Sequence, residues 1–302
     1  MKEKHPVLIL GSGALACLFA ARLALTGQEV WMLDEWQEGV AAVQNHGIQY
    51  HHPTGYQKVH VHATTDPAAC PSVRDALILV KSWQTAQAAR QLQPLLEPDG
   101  VAVTLQNGLG NQETLSAVLG STRTSAGITT YGATLAAPGV VHQMGEGEIV
   151  LGNQPRLDNL AERLSAARIA VRREKDIRAM QWGKLLVNAA INPLTALLGV
   201  PNGRLLDNVP AQLIMRQILE EAVRIAQAEN ITLPFTDPLT YVNSVVSLTA
   251  ENRSSMLQDL TRGAPTEIDQ INGALVSMSQ KWNIPTPVNQ IVLLLVKARA
   301  LK

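Results

Sequence analysis

Cysteine is scarce in this sequence of 302 residues, where Cys17 and Cys70 are the only two. One pair could form a disulfide, but in a chain of this size reduced thiols in a reducing compartment are the simpler interpretation. The first residues also lack the apolar stretch of a secretory signal and lead directly into a strand pattern. We therefore expect a cytoplasmic protein.

The chain has no excess of charge of either sign, since Lys+Arg and Asp+Glu both number 25. A balanced charge gives no reason to expect nucleic acid or an anionic membrane surface as a partner. No uncharged apolar run reaches the length that spans a bilayer; residues 185–200 come closest, but their asparagines and Pro193 argue against a membrane helix. The length and the 46% of hydrophobic residues are typical of a globular protein with two domains.

A glycine-rich turn follows the first strand pattern, Val7–Leu10, which is fully apolar as in a buried parallel strand. The turn reads Gly11-Ser12-Gly13-Ala14-Leu15-Ala16. Gly11 permits a tight turn, Gly13 lets the backbone approach a pyrophosphate, and Ala16 allows close packing of helix on strand. Together with the helix and second strand that follow, the turn predicts a dinucleotide-binding unit; a chance glycine turn in an unrelated α/β unit is the alternative.

An acidic residue, Asp34, ends the second strand. At this place a carboxylate usually binds the ribose hydroxyls of NAD, and it would repel the 2′-phosphate of NADP. Glu35 follows, and no Lys or Arg occurs between Arg22 and Lys58. The local residues therefore favour NADH. Two alternatives stay open: Asp34 only caps the helix expected over residues 38–45, or a distant basic side chain reaches the phosphate.

Two further strand patterns, residues 76–80 and 101–105, are followed by polar residues. Ligands of open α/β sheets lie beyond the carboxyl ends of the strands. Lys81 and Asn107 are therefore candidate contacts to cofactor or substrate, against the alternative of ordinary loop residues.

Four histidines lie in a less regular stretch between these elements: His51, His52, His60 and His62. No cysteine or acidic residue lies close by to complete a metal site. We therefore predict a solvated strand pair over residues 48–62 and no metal.

Residues 127–152 alternate between apolar and polar types, which predicts strands that extend the sheet, some of them antiparallel. A helix over 157–167 and an edge strand over 169–171 follow. The charged run 172–176 marks the predicted boundary between a Rossmann-type dinucleotide-binding domain, residues 1–173, and a helical substrate and catalytic domain, residues 174–302. Helices are expected near 177–198, 211–229, 238–249, 266–282 and 287–299. The fold class is thus α/β, a doubly wound sheet followed by an all-helical C-terminal domain.

The first of these helices carries a polar ridge, because Lys184, Asn188 and Asn192 are spaced four apart in an otherwise apolar stretch. Burying such groups costs free energy unless they are satisfied. Pro193 predicts a kink or break at Asn192. The ridge either meets polar partners on the neighbouring domain or forms one wall of an active site with a lysine that transfers a proton.

Three sequence blocks carry a close resemblance to the ketopantoate reductase family: Lys184 to Thr195, residues 250–259 and residues 266–273. The turn Pro201-Asn202-Gly203 and the segment Lys81–Gln84 match as well. The resemblance implies reduction of ketopantoate, a 2-oxo acid, to pantoate with NADPH. We expect a monomer or homodimer. The family commonly has an arginine about where Glu35 stands, so NADH is the alternative that the local residues favour.

The resemblance also implies residue roles. Lys184 is the general acid, and Glu267 is a catalytic carboxylate that contacts cofactor and substrate. Lys81, Asn107 and Ala133 contact the cofactor. Substrate contacts, which include the general acid, are Asn107, Lys184, Asn188, Asn192, Asn202, Asn252 and Ser255. Without the resemblance, Ser255 and Glu267 would be interpreted as a helix cap and a surface charge. Reduction of another 2-oxo acid and non-catalytic dinucleotide sensing are the competing functions.

Overall fold

The structure, a computed structural model, describes residues 5–300, and their contacts divide the chain into two compact units. The first holds the described residues up to Gln106 together with Asn111–Ile177. The second holds Asn107–Gly110 and the described residues from Arg178 onward. A loop of the N-terminal half thus belongs by its contacts to the C-terminal unit.

The first unit contains strands and helices in alternation. In chain order they are β1 (Val7–Leu10), α1 (Ala14–Ala24), β2 (Val30–Leu33), α2 (Gln37–His46), β3 (Ile48–His52), β4 (Gly55–Val59), β5 (His62–Thr64), β6 (Val73–Ile78), α3 (Thr85–Leu92), β7 (Leu96–Thr104), α4 (Asn111–Leu119), β8 (Thr124–Thr129), β9 (Ala133–Ala137), β10 (Val140–Gln143), β11 (Glu148–Gly152), α5 (Asp158–Ala166) and β12 (Ala170–Glu174). Within residues 5–300, eight strands form one sheet in the order β12-β11-β8-β7-β6-β1-β2-β5. The predicted α/β fold with a doubly wound sheet is confirmed.

The carboxyl ends of the central strands lie level with one another. Leu10 pairs with Leu33 on one side and with Ile78 on the other, and Ile78 pairs with Thr104. These pairings are parallel, so the residues that follow each strand emerge at the same edge of the sheet. The predicted edge for ligand binding therefore exists in this unit.

A second sheet of four strands, in the order β4-β3-β10-β9, covers α1. The prediction that β9 and β10 extend the main sheet is wrong; β8, β11 and β12 do so. The physical reason is α1 itself, which is buried from Ala16 to Ala21 and so needs an apolar cover on the side away from the main sheet. Val141 and Tyr50 supply part of that cover.

The histidine-bearing stretch forms the β3–β4 hairpin as predicted, but Ile48, Tyr50 and Val59 are buried, so only one face of it is solvated. His62 lies in β5 of the main sheet. Among the described residues no group of three or more His, Cys, Asp or Glu is arranged to hold a metal ion. Nor is any helix in that part of the chain both long and apolar enough to cross a membrane.

The second unit is helical. Its helices are α6 (Ile177–Leu198), α7 (Val209–Ala228), α8 (Pro238–Leu248), α9 (Ser255–Thr261), α10 (Asn272–Lys281) and α11 (Pro287–Ala300). The helix predicted over 266–282 begins only at Asn272, since residues 266 and 267 are outside any helix and residues 268–271 form turns; the short helix α9 is not predicted at all. A tertiary contact overrides the local preference of these residues for a helix: the Gln270 carbonyl accepts a hydrogen bond from the backbone N–H of Leu109, at 3.0 Å.

The helix α6 does not break at Asn192 but continues through Pro193 to Leu198. Proline cannot donate the backbone hydrogen bond to the carbonyl of Ala189, four residues earlier. That carbonyl instead accepts from the side-chain nitrogen Nδ2 of Asn272, at 3.1 Å. A side chain distant in sequence thus removes the need for the break that the sequence predicts.

Glu221 of α7 caps the N-terminus of the helix α11. Its buried carboxylate accepts from the backbone N–H of Val288 and of Asn289, both at 2.9 Å, and from Asn289 Nδ2 at 2.7 Å. The first turn of a helix leaves such N–H groups without intrahelical partners. The carboxylate therefore satisfies donors that would otherwise be buried unpaired.

We predict that Glu221→Ala lowers the free energy of unfolding by about 3 kcal/mol, because it leaves three donors, two buried and one partly buried, without their acceptor. Glu220→Ala, a change at the neighbouring exposed residue, is the matched control and should shift the free energy by less than about 0.5 kcal/mol. Guanidinium titrations of both variants measure the difference. Equal effects of the two substitutions would contradict the role of Glu221.

Candidate active site

The glycine-rich turn after β1 has the geometry that a pyrophosphate needs. Gly11 has φ +124°, and a Cβ there would lie 2.9 Å from the carbonyl carbon of Leu79, so no other residue fits. Gly13 precedes the first turn of α1; no described atom lies within 4 Å of where its Cβ would be, and no side chain caps that turn. The uncapped N–H groups, the positive end of the helix and the open space at Gly13 fit a dinucleotide phosphate.

Asp34 is fastened to this turn. Its Oδ2 accepts from both the backbone N–H and the hydroxyl of Ser12, each at 2.7 Å, and the side chain is only 8% exposed. The helix α2 begins after Trp36 without a side-chain cap, so the alternative that Asp34 caps that helix is wrong. Asp34 instead fixes the glycine-rich turn Gly11–Ala16 (the phosphate turn), while Glu35 beside it is exposed.

Lys81 lies just beyond β6, in a segment held by a residue that the sequence does not single out. The side chain of Gln106 donates from Nε2 to the carbonyl of Val80, at 2.7 Å, and its Oε1 accepts from the hydroxyl of Thr104, at 2.8 Å. Ala133 begins β9 and packs against the same core as Ala14 and Leu15. A polar residue two positions after a strand was the only available signal for Gln106.

Within the second unit the structure brings together Lys184, Glu267 and Asn107. Burial lowers the pKa of the partly buried Lys184 to about 8, against the charge of nearby Glu267, which raises it. Glu267 is only 7% exposed, and its Oε2 accepts from Asn107 Nδ2 at 3.3 Å. The interpretation of Glu267 as a surface charge is therefore wrong.

A close backbone contact holds Asn107 next to Glu267. Leu109 donates its N–H to the Gln270 carbonyl, at 3.0 Å. Gly108 has φ +82°, and a Cβ there would lie 2.2 Å from the same carbonyl oxygen. Glycine at 108 is thus required both by the backbone conformation and by the approach of the turn that carries Glu267.

The remaining predicted substrate contacts lie along α6 and the loops beside it. Asn188 is partly buried and Asn192 is buried. Asn202 is also buried; its Nδ2 donates to Thr249 Oγ1 at 3.0 Å, and its backbone N–H donates to the Asn252 carbonyl at 2.9 Å. The side chain of Asn252 is exposed.

Ser255, the first residue of α9, is exposed, and it is not the cap of that helix. Ser254 is: its Oγ accepts from the backbone N–H of Leu257 at 3.1 Å and from the hydroxyl of Thr195 at 2.7 Å. The capping interpretation of Ser255 is therefore wrong, and its hydroxyl is left for another contact. The sequence offers two adjacent serines and no means of telling which one caps.

The fold and these residues define a class of protein: a Rossmann-type nicotinamide-dinucleotide oxidoreductase whose helical unit carries a lysine beside a buried carboxylate. Residues 7–156 match the family model described as ketopantoate reductase PanE/ApbA, and residues 176–300 match its C-terminal counterpart. The chain belongs to the ketopantoate reductase family, as the sequence blocks predict.

Relatives named for this family match over nearly their whole length, and a dehydrogenase named for another substrate shares the fold. The chain is 32% identical over 299 residues to a 2-dehydropantoate 2-reductase of Pyrococcus horikoshii, covering 97% of each chain. A crystal structure of a PanE/ApbA family ketopantoate reductase from Ralstonia eutropha JMP134 superposes with a TM-score of 0.92 at 32% identity, over 98% of each chain. A D-mandelate dehydrogenase solved with NADH and anilino(oxo)acetate superposes equally well, with a TM-score of 0.92 at 25% identity over 98% of each chain.

We predict that Gly108→Ala lowers the free energy of unfolding by about 2–4 kcal/mol and reduces turnover, because the methyl group forces the turn of Glu267 away from Asn107. Gly110→Ala is the matched control: Gly110 also has a positive φ, +91°, but no described atom lies within 4 Å of its Cβ position. It should therefore lose only about 1 kcal/mol. If both variants lose the same amount, the close contact with Gln270 does not matter.

Proposed function

We propose that this chain is a 2-dehydropantoate 2-reductase, which reduces ketopantoate to pantoate with a nicotinamide cofactor. The observation that carries the proposal is the group of Lys184, Glu267 and Asn107 in the helical unit of a ketopantoate reductase family member. In this proposal residues 1–173 bind the dinucleotide, and residues 174–302 supply the catalytic and most of the substrate-binding groups.

Lys184 is the proton donor of the proposed reaction. A nicotinamide dinucleotide held at the glycine-rich turn Gly11–Ala16 would supply the hydride for the carbonyl carbon of the 2-oxo acid. The Lys184 ammonium donates a hydrogen bond to the carbonyl oxygen, stabilises the negative charge that develops there, and transfers its proton to give the hydroxyl. A pKa of about 8 suits this role, because the lysine is mostly protonated at neutral pH yet gives up its proton readily.

The polar groups around the lysine are proposed to orient the acceptor. Asn188 and Asn192 follow Lys184 along one ridge of α6, so their carboxamides can donate to the carboxylate and hydroxyl of the substrate. Asn202, Asn252 and Ser255 would complete the substrate contacts, as the resemblance implies. Glu267 and Asn107 would contact cofactor and substrate.

For the cofactor we propose a preference for NADH. The carboxylate of Asp34 lies against the phosphate turn, at Ser12, and Glu35 adds a second, exposed negative charge. A 2′-phosphate at the usual place after β2 would meet both charges, whereas ribose hydroxyls can donate to a carboxylate. Lys81 and Ala133 are proposed as further cofactor contacts.

Reduction of a different 2-oxo acid is the second candidate function, and the likeness to D-mandelate dehydrogenase favours it. Steady-state rates with ketopantoate and with the 2-oxo acid that corresponds to mandelate, measured side by side, separate the two. Efficient turnover of ketopantoate supports the main proposal. A protein that binds the dinucleotide but oxidises none with any 2-oxo acid would be a sensor instead.

The proton-donor role predicts how the rate depends on pH. At saturating cofactor, kcat/KM for the 2-oxo acid should be level below pH 7 and fall above about pH 8, towards roughly tenfold per pH unit, as Lys184 loses its proton. The reverse oxidation should instead rise through the same range, because it needs the neutral amine as base.

Lys184→Ala should lower turnover by about 10²–10⁴-fold in both directions and remove this pH dependence, while fluorescence titration shows unchanged dinucleotide affinity. Near-normal turnover in this variant would refute the assignment of the proton donor.

The charge argument for the cofactor predicts that Glu35→Arg raises the ratio of kcat/KM with NADPH to kcat/KM with NADH by about 10–100-fold, because the guanidinium can bind the 2′-phosphate. Glu162→Arg, the same charge change at an exposed residue of α5, should leave the ratio unchanged. A wild-type protein that strongly prefers NADPH would contradict the proposed preference.

A further inference from the structure

The helix α6 contains a backbone carbonyl that has no hydrogen-bond donor within the helix. Pro193 has no N–H, so the carbonyl of Ala189, one turn before it, has no backbone partner. Ala189 is fully buried and lies in sequence between Asn188 and Asn192, the two asparagines of the ridge proposed to bind substrate. A buried carbonyl without a partner destabilises the folded state, and a kink in the helix is the usual way to expose it.

Asn272 supplies the missing donor. It is fully buried, and its Nδ2 donates to the Ala189 carbonyl at 3.1 Å and to Asn289 Oδ1 at 3.0 Å. Because a backbone carbonyl can only accept, the amide must present its nitrogen to Ala189. Both protons of the amide are therefore used in fixed directions.

The partners of Asn272 are themselves held in place. Asn289 Nδ2 donates to Glu221 Oε2 at 2.7 Å and to the Ile218 carbonyl at 3.3 Å. Its backbone N–H donates to the same carboxylate at 2.9 Å. The orientation of Asn272 is thus fixed by α7 and α11, and α6 is tied through one amide to both helices.

We propose that Asn272 is a positioning residue for the reaction. Its side-chain amide replaces the hydrogen bond that Pro193 cannot donate, and so it keeps Asn188 and Asn192 in line with Lys184 on a continuous helix. The inference rests on the proposed function for its kinetic part only. Asn272 does not need to contact substrate in order to act, since it acts through the backbone of α6.

Pro193 makes the proposal testable by rescue. Pro193→Ala restores a backbone N–H that can donate to the Ala189 carbonyl, so the helix no longer needs Asn272 for that bond. Asn272→Leu, of nearly the same shape, removes both side-chain donors. It should lower the unfolding midpoint by roughly 5–10 °C, and by at least about 2 °C less when Pro193→Ala is also present.

Asn289→Leu is the control, because it removes the Asn272–Asn289 bond, together with the bonds from Asn289 to Glu221 and Ile218, but keeps the Asn272 amide that donates to Ala189. Its effect on the midpoint should be the same with proline or alanine at 193. Asn272→Ser, whose hydroxyl is too short to reach both acceptors, replaces Asn272→Leu if that variant does not fold. An effect of Asn272→Leu that is equal in both backgrounds overturns the claim that Asn272 replaces the missing bond.

The kinetic measurement separates positioning from mere stability. Asn272→Leu should raise KM for ketopantoate about tenfold with unchanged dinucleotide affinity, because its effect reaches the ridge on α6 and not the phosphate turn. The double variant with Pro193→Ala should restore KM to within about threefold of wild type. If Pro193→Ala rescues the midpoint while KM does not change in any of these variants, the positioning role is refuted. If the wild-type protein reduces no 2-oxo acid, the proposed function is refuted, but the unfolding midpoints of the variants still test the hydrogen bond of Asn272.

Discussion

The attraction between Lys184 and Glu267 is the interaction on which the rest of the candidate site depends. Burial alone disfavours the ammonium, and the pKa of about 8 shows that this cost outweighs the opposing charge of Glu267. The fall from 10.5 corresponds to roughly 3 kcal/mol, a large fraction of the stability of a typical domain. A carboxylate placed further away would leave more of that cost, so the position of Glu267 has to be fixed. The fold does this with a backbone contact: the turn of Glu267 receives the N–H of Leu109 at the Gln270 carbonyl, where Gly108 leaves room.

The segment from Glu267 to Asn272 therefore serves both partners of the site. At its start it presents the carboxylate that faces the lysine, and at its end Asn272 holds the backbone of the helix that carries the lysine. The two contacts lie only a few residues apart in the chain, so a shift of the turn would move the Glu267 carboxylate and the helix α6 together. This coupling explains why residues 266–271 are not helical although their sequence tolerates a helix: the backbone groups and side chains of the turn are committed to other parts of the unit.

Local patterns in the sequence predict much of the fold, and they fail where a distant contact decides. The strand, glycine turn and helix from Val7 onward are predictable because each step is enforced by neighbours in the chain. The limits of α6, 177–198, are also predicted, because its apolar period is long and strong. The second sheet is not predictable, since β9 and β10 look like any alternating strands, and only the burial of α1 on all sides requires a cover. The absence of a break at Pro193 depends on the side chain of Asn272, and no pattern in the sequence around Pro193 predicts such a donor.

The candidate site divides in the same way. The residue types of the ridge can be read from the sequence, because spacing four apart on a helix is a local property. What surrounds them cannot: whether Ser254 or Ser255 caps α9 depends on where Thr195 points, and whether Glu267 is buried depends on the loop that carries Asn107. Asp34 is a sharper case, because its place after β2 predicts a ribose contact while its bonds to Ser12 give it a second duty in the phosphate turn. A change at Asp34 would therefore disturb the binding of either cofactor, whereas Glu35 has no bond to that turn through which to do so. The charge that can be altered without disturbing the fold is thus that of Glu35, the neighbour of Asp34, and not that of Asp34 itself.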